Sequence, residues 1–294
     1  MEQSFRPRLS LWAKLGILLV MFFTLLCVAA LLQGALAAVD MPERTRLLIG
    51  SAAQCLLAFV VPPLVVARFS SARPAGYLGL SSAASWKWYA AVAVLFVVAA
   101  SALNQLIYWN AHMRLPESMS ALERTLRGWE DDAARLTETI LSGTSWGTLL
   151  SGVLVVGLLT GFSEEMFFRA GIQRALSSSG MNPHLAVWTA ALIFSAVHFQ
   201  FFGFFPRLLL GAFFGYLYLR SGSLWVAAAA HALNNSIVVV SSWLEARGAA
   251  SFNPEEVGVA EQGFPFWALA SAVVTALTVY LMIKASKRNG TAKL

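Results

Sequence analysis

The chain has 294 residues, of which 58% are apolar or aromatic and only 12% are Asp, Glu, Lys or Arg. A water-soluble domain carries about twice that share of charge, so the composition excludes a soluble globular enzyme and a disordered chain. The formal net charge of +6 comes without a long basic run. This argues against a nucleic-acid partner and predicts a polytopic protein embedded in a lipid bilayer.

A membrane-spanning helix needs about 20 mostly apolar residues. Eight segments approach this pattern and predict an all-α bundle of about eight transmembrane helices, forming a single domain over residues 1–294. The sixth segment is short, and its GxxxG pattern at Gly211 and Gly215 predicts close helix packing. The segments are Leu15–Ala38, Leu47–Ala67, Trp86–Trp109, Gly147–Phe162, Leu185–Phe202, Leu208–Leu219, Leu224–Trp243 and Phe264–Ile283.

The first segment has two interpretations. Ala35-Leu36-Ala37 is typical of a signal-peptide cleavage site. The apolar run is longer than that of a signal peptide, which favours a retained span.

The distribution of Lys and Arg predicts the orientation of the bundle. With the N-terminus in the cytoplasm, most of the 21 Lys and Arg residues fall on the inner side. This assignment counts Arg169 as an inner charge and Arg207 as an outer one. The positive-inside rule therefore predicts that both chain ends are cytoplasmic. With no organelle signal in the sequence, we expect a plasma (inner) membrane.

The longest predicted loop, residues 110–145, is extracytoplasmic in this arrangement. Its apolar residues are spaced by three and four, which predicts an amphipathic helix. We expect this helix to lie on the outer surface or against the bundle, and a substrate lid is the alternative. The apolar positions are Met119, Leu122, Leu126, Trp129, Ala133, Leu136 and Ile140.

Charged residues within an apolar span are functional candidates, because each costs about 2.5–3.5 kcal/mol to insert. Glu164 and Glu165 lie at the end of the fourth predicted span, followed by Arg169. Glu165 and Arg169 are four residues apart on a helix and can form an ion pair. Glu164 points about 100° away and stays free to act as a general base. The alternative is a charge cluster that caps the span at the membrane interface.

Two histidines and an asparagine lie inside later spans: His198 in the fifth, and His231 and Asn235 in the seventh. Together with a free glutamate they offer a partner for a base and donors for an oxyanion. Each histidine alone could instead be a hydrogen-bonded core residue. Counted along the predicted spans, the site residues differ in depth by about 10 Å. They converge if the fourth helix continues past Arg169 and the fifth enters the membrane nearer Trp188.

The same residues leave the question of a metal open. Glu164, His198 and His231 form a set of two histidines and one carboxylate that zinc enzymes use. The HExxH helix of common zinc proteases is absent. The cofactor is therefore either none or zinc.

Three motifs occur in the order Glu164-Glu165-x-x-x-Arg169, Phe194-x-x-x-His198 and His231-x-x-x-Asn235. This trio resembles the signature motifs of the CAAX-processing and bacteriocin-processing intramembrane proteases, a family that includes the type II CAAX prenyl endopeptidase. The resemblance extends over residues 147–242, which we interpret as the catalytic core.

The resemblance implies a helical bundle with a water-filled cavity and a role for each motif. Glu164 with His198 would activate the attacking water, and His231 with Asn235 would stabilise the tetrahedral oxyanion. The second carboxylate and the arginine of the first motif would hold the site together.

The predicted function is an intramembrane endopeptidase that hydrolyses a membrane-associated protein or peptide in or beside the bilayer. Whether that substrate is prenylated, and the oligomeric state, stay open. One alternative is a non-catalytic membrane scaffold, such as an immunity or regulatory protein. Another is a transporter in which buried Glu and His relay protons, although no paired halves with broken helices are visible.

Overall fold

The computed structural model describes residues 9–249 and 254–288, and over these ranges the chain is helical without any β-strand. The predicted inner charges Arg6, Arg8 and Lys293 lie outside the described residues. In chain order the helices are α1 (Leu11–Leu36), α2 (Glu43–Ser70), α3 (Pro74–Leu78), α4 (Trp86–Ala111), α5 (Ser120–Leu141), α6 (Trp146–Ser177), α7 (Pro183–Ala196), α8 (Phe204–Ser221), α9 (Leu224–Ala246) and α10 (Phe266–Arg288).

The predicted all-helical membrane bundle is confirmed. Among the described residues, six helices are long and apolar enough to cross a membrane, namely α1, α2, α4, α6, α9 and α8 with the turn before it. The other two predicted segments correspond to α7 and to the apolar part of α10, which are shorter apolar helices. The short helix is therefore the fifth, with 14 residues, whereas the sixth has 18.

Helix α6 is longer than the fourth predicted span, because it continues through the charged motif to Ser177. It contains π-helical stretches at Val153–Leu159 and Met166–Gln173, on either side of Glu164 and Glu165. Such stretches change the angular register of the side chains that follow and are frequent at functional sites. The first condition for convergence of the site, a helix that passes Arg169, is thus met.

The second condition, that the fifth span enters the membrane nearer Trp188, stays a prediction. Helix α7 begins at Pro183, where Asn182 Oδ1 accepts hydrogen bonds from the backbone N–H groups of His184 and Leu185. Glu164 and the end of α7 are each about 20 Å along their helices from the α6–α7 connection, so they reach similar depth.

Helix α9 brings His231 to the depth of Glu164 because the helix begins below the surface of the bundle. Leu224 is fully buried, and its N–H donates to the carbonyl of Gly79.

Glycines bring α6 and α9 into close contact. A Cβ on Gly157 would lie 2.4 Å from Ser236 Oγ, and one on Gly161 would lie 2.7 Å from the backbone nitrogen of Ala232. Helix α8 packs against α7 in the same way, since a Cβ on Gly211 would meet α7 atoms at 3.1–3.3 Å. The close packing predicted from the GxxxG pattern is therefore present.

The predicted amphipathic helix is present as α5, although α4 extends to Ala111 and shortens the loop expected at residues 110–145. Helix α5 lies against the bundle, near the start of α2 and the connection that follows α7. Its apolar face is only partly covered: Leu122, Trp129 and Leu136 are 44%, 47% and 52% exposed.

A carboxylate fastens the start of α5 to the preceding chain. Glu123 accepts a hydrogen bond from the backbone N–H of Leu115 and pairs with Arg127. The Leu115 N–H first, and then Arg127, lower the pKa of Glu123 below its ordinary value. The carboxylate therefore stabilises this connection above the ordinary glutamate range, and the contribution is lost as pH falls through the lowered pKa.

Contacts between helix ends agree with the predicted arrangement of the spans. Lys14 donates to Ser178, which places the start of α1 beside the end of α6. Arg44 donates to the carbonyl of Thr148, which places the start of α2 beside the start of α6. Which of these two sides faces the cytoplasm stays a prediction.

Two arginines that the sequence placed among the loop charges lie inside the bundle. Arg169 is fully buried within α6, and Arg207, in the first turn of α8, lines an internal cavity. Neither residue therefore reports on orientation.

Candidate active site

A cavity of about 660 Å³ lies among α4, α6, α8 and α9, and it contains four of the six predicted site residues. Glu164, His198, His231 and Asn235 all line it. The cavity is within the range of about 300–1,000 Å³ that is typical of ligand pockets. Its apolar wall includes Phe96, Leu103, Ile107, Leu210, Ile237 and Val238.

The other two predicted residues, Glu165 and Arg169, lie behind the cavity and are completely buried. Arg169 Nη1 is 2.9 Å from Glu165 Oε1, an ion pair whose angles fall short of a hydrogen bond. Arg169 Nη2 donates to the carbonyl of Gly211 at 2.8 Å. The guanidinium also lies 4.8 Å from the ring of Phe194 and 5.5 Å from that of Phe214. The predicted pairing is present. Through Gly211 of α8 and Phe194 of α7, Arg169 also contacts the two helices that pack against each other here.

His231 connects the two glutamates. Its Nδ1 is 2.8 Å from Glu165 Oε1, and its Nε2 is 3.7 Å from Glu164 Oε2. Phe214 stacks on the imidazole with the ring centroids 4.8 Å apart. Because a carboxylate oxygen that pairs with Arg169 is an acceptor, Nδ1 is the donor in this contact. The Nε2 atom is thereby held beside Glu164.

His198 lies outside the helix that was expected to contain it. Helix α7 ends at Ala196, and the chain turns after His198 with a positive φ of 54° at Phe199. His198 Nδ1 is 2.6 Å from the carbonyl oxygen of Phe194. A carbonyl only accepts, so Nδ1 donates and Nε2 keeps a lone pair. Among the described residues, no direct hydrogen bond joins His198 to Glu164.

The Asn235 amide is oriented from both ends. Its Nδ2 donates to the carbonyl of Val156 at 3.1 Å, and its Oδ1 accepts from Asn234 Nδ2 at 3.2 Å. One amide hydrogen of Asn235 stays without a partner in this arrangement.

Some residues of the cavity were not singled out from the sequence. Asn234 orients Asn235, and Arg207 adds a guanidinium to the wall. The sequence did offer a signal for Arg207, because a charged residue within an apolar stretch is a functional candidate. Asn104, to which the sequence assigned no role, lines the cavity and donates to the carbonyls of Pro254 and Val257.

The possible zinc ligands are not gathered into a metal site. Within residues 9–249 and 254–288, no group of three His, Cys, Asp or Glu side chains has the arrangement needed to hold a metal ion. The residues present therefore do not fit a zinc centre.

The fold and the site define a polytopic helical membrane protein with a buried glutamate–histidine cluster. Residues 145–237, which include all three motifs, match the family described as type II CAAX prenyl endopeptidase Rce1-like. This match confirms the resemblance that the motifs predicted.

A relative with which the chain aligns is the uncharacterized protein YpbD of Bacillus subtilis (strain 168). The two are 30% identical over 89 residues, which make up 29% of this chain and 42% of YpbD. The chain therefore spans less than half the length of this curated relative. No solved structure matches the chain.

Proposed function

We propose that this protein is an intramembrane endopeptidase, similar to the CAAX prenyl proteases, that cleaves a membrane-associated protein or peptide. The observation that carries the proposal is that Glu164, His198, His231 and Asn235 line one cavity inside a membrane bundle. The family match over residues 145–237 supports the same reaction class.

In this proposal Glu164 and His198 activate the attacking water. The Glu164 carboxylate and the free lone pair on His198 Nε2 are both acceptors, so one water molecule donates a hydrogen to each. Its own lone pair then faces the scissile carbonyl. Glu164 removes the proton as the water oxygen bonds to the carbonyl carbon.

His231 and Asn235 stabilise the oxyanion that forms on the substrate. The proposal requires the imidazolium form of His231, which carries a proton on both ring nitrogens. In that state the Nε2–H of His231 and the unused amide hydrogen of Asn235 act as oxyanion donors. Glu165 holds the imidazolium through Nδ1, as a buried carboxylate does in other hydrolases.

The second half of the reaction returns the proton. The tetrahedral intermediate collapses, the C–N bond breaks, and the proton held by Glu164 passes to the leaving amine. The products are a new carboxylic acid, which then loses its proton to water, and a free amine, so neither a redox step nor a covalent enzyme intermediate is required.

The test compares the native protein with Glu164→Gln in proteoliposomes that contain a library of membrane peptides. We expect the substitution to lower cleavage by roughly 10²–10⁴-fold, because it removes the general base. Mass spectrometry of the products measures cleavage, and thermal unfolding in detergent checks that the variant folds. Glu138→Gln, on the exposed surface of α5, is the matched control and should retain full activity.

Two outcomes contradict the proposal. Activity retained in Glu164→Gln would favour the non-catalytic scaffold. Activity lost on chelation, with stoichiometric zinc in the native protein, would make the histidines and Glu164 metal ligands instead of a metal-free base system.

A further inference from the structure

We infer that Lys14, Arg174 and Tyr77 form a binding site for a phosphate group at the end of the bundle where α1 begins and α6 ends. None of these three residues lines the cavity that contains Glu164. The inference therefore goes beyond the proposed peptidase function and does not depend on it.

This end of the bundle carries cations without acidic residues. Contacts among α1, α3, α6 and α9 bring together residues 9–18, 66–90, 172–186 and 217–226, and these ranges contain no Asp or Glu. The positive-inside rule predicts that this end faces the cytoplasmic leaflet, whose lipids are anionic. A basic pocket between helices at that depth is typical of a site for lipid phosphates. The charged residues in the four ranges are Lys14, Arg68, Arg73, Lys87, Arg174 and Arg220.

Lys14 is buried although it carries a charge, since only 6% of the residue is exposed. Its ammonium donates to Ser178 Oγ at 2.9 Å and to Ser179 Oγ at 3.5 Å, and both acceptors are neutral. In the part of the chain that the structure describes, no carboxylate lies within 4.0 Å of Lys14 Nζ. Lysine is rarely buried without an opposite charge, so an anion is the partner that this position lacks.

Arg174 is a second cation at the same place. Within residues 9–249 and 254–288 its guanidinium has no carboxylate within 4.0 Å, and its buried Nε has no hydrogen-bond partner. The guanidinium lies 5.1 Å from the ring centre of Tyr77, and Lys14 Nζ lies 6.0 Å from the same ring centre. The two cations repel each other, and a bound anion removes this repulsion and supplies the missing acceptor.

Hydroxyl groups complete the site and leave it open to the surface. Ser178 lies four residues after Arg174, so the two side chains leave the same face at the end of α6. The Tyr77 hydroxyl is 3.4 Å from Ser178 Oγ, and both Ser178 and Ser179 are exposed. A phosphate group has enough oxygens to accept from an ammonium, a guanidinium and a hydroxyl together, whereas a carboxylate has only two. We therefore assign a phosphate to this site.

The phosphate has two possible sources, the headgroup of an anionic lipid or a free phosphate ion. The test uses the full chain in a non-ionic detergent. The probes are short-chain phosphatidylglycerol, the diacylglycerol with the same chains but no phosphate, and inorganic phosphate. Isothermal titration calorimetry measures binding, and thermal unfolding measures the stabilisation that a bound ligand produces.

We expect phosphatidylglycerol to bind about 30-fold more tightly than the diacylglycerol, because each of the two basic residues contributes about fivefold. Lys14→Gln and Arg174→Gln should each lower the affinity for phosphatidylglycerol by about fivefold, and the double substitution should abolish the preference. Lys14→Arg should retain part of it. Lys87→Gln removes an exposed lysine at the same end of the bundle, and this matched control should bind like the native protein.

Competition by inorganic phosphate would show that the free ion occupies the site, and a preference for phosphatidylglycerol without competition would show that the lipid headgroup does. Either result upholds the inference. No preference for phosphatidylglycerol, together with no binding of inorganic phosphate, overturns it, and this comparison does not require a variant to fold. A preference that survives the double substitution overturns it as well. Neither outcome depends on whether the protein cleaves a peptide.

Discussion

Glu165 shares a single oxygen, Oε1, between Arg169 and His231, and all three side chains are buried. A buried ion pair contributes little net stability, because desolvation of two charges offsets their attraction. The ion pair instead fixes the positions of the side chains, because Arg169 holds the carboxylate and the carboxylate holds the imidazole beside Glu164. Removal of one charge leaves the other buried without compensation.

We therefore predict that Glu165→Gln and Arg169→Met each lower the free energy of unfolding by about 3–5 kcal/mol. The double substitution should cost clearly less than the sum of the two, because no lone charge is left buried. Denaturant unfolding in detergent micelles measures the cycle. The exposed pair Asp132 and Arg135, replaced in the same way, is the control and should be additive. Additivity at Glu165 and Arg169 would show that the two charges do not depend on each other.

Of the contacts among these three residues, the sequence predicts only the one that helix geometry determines. Glu165 and Arg169 are one helical turn apart, so their pairing follows from spacing alone. The contact between His231 and Glu165 joins residues 66 positions apart. It depends on how α6 and α9 pack, and spacing carries no information about that.

The connection between α7 and α8, residues 197–203, carries His198, and hydrogen bonds with residues of α4, α5 and α7 hold it and the first two residues of α8. Asn110 of α4 donates to the carbonyl of Phe201 and accepts from the N–H of Phe205. Glu130 of α5 accepts from the N–H of Phe202 at 2.7 Å. Ser195 of α7 donates to the carbonyl of Phe204. The loop is thus a positioned part of the site.

Glu130 should accordingly act as a positioning residue for His198. We predict that Glu130→Ala lowers kcat about 10–100-fold and leaves KM nearly unchanged, because the loop that carries His198 loses a hydrogen bond and a small displacement of a catalytic group costs about this much. Hydrogen exchange should show faster exchange over residues 197–203, a change that a surface role would not produce. Asp132→Ala, on the same helix, is the control. Unchanged exchange in Glu130→Ala would disprove the link between α5 and the loop.

The bounds of α7 show why hydropathy alone misplaces an element. The predicted span Leu185–Phe202 continues past the end of the helix, because the phenylalanines at 199, 201 and 202 keep the stretch apolar on average around His198 and Gln200. A window of apolar residues therefore contains no signal for the turn at Phe199. The opposite error occurs in α6, where charges end the apolar window and the helix continues to Ser177.

Across the whole molecule, the site exists only because α6 and α9 approach closely. Gly161 lies three residues before Glu164, and it faces the backbone of Ala232, which follows His231. The small residue thus sets the distance between the helix with the glutamates and the helix with the imidazole. The sequence singled out the glycines of the sixth span, but the pairing of Gly161 with Ala232 follows from the arrangement of all the helices.

Gly161→Ala tests this dependence. The new Cβ would lie 2.7 Å from the nitrogen and 2.9 Å from the Cα of Ala232, and a backbone cannot rotate away as a side chain can. We expect a loss of about 1–3 kcal/mol from overpacking, offset by up to about 1 kcal/mol of helix propensity. Cleavage should fall about 10²-fold, because a shift of α9 by 1 Å displaces His231 from Glu164.

Gly16→Ala, in α1, is the matched control, because a Cβ there meets no atom within 4 Å. It should leave activity unchanged and leave stability equal or slightly raised. Thermal unfolding in detergent and cleavage in proteoliposomes measure both variants. If Gly161→Ala behaved like Gly16→Ala, the helices would tolerate a wider separation, and the 3.7 Å between His231 and Glu164 would not be set by this contact.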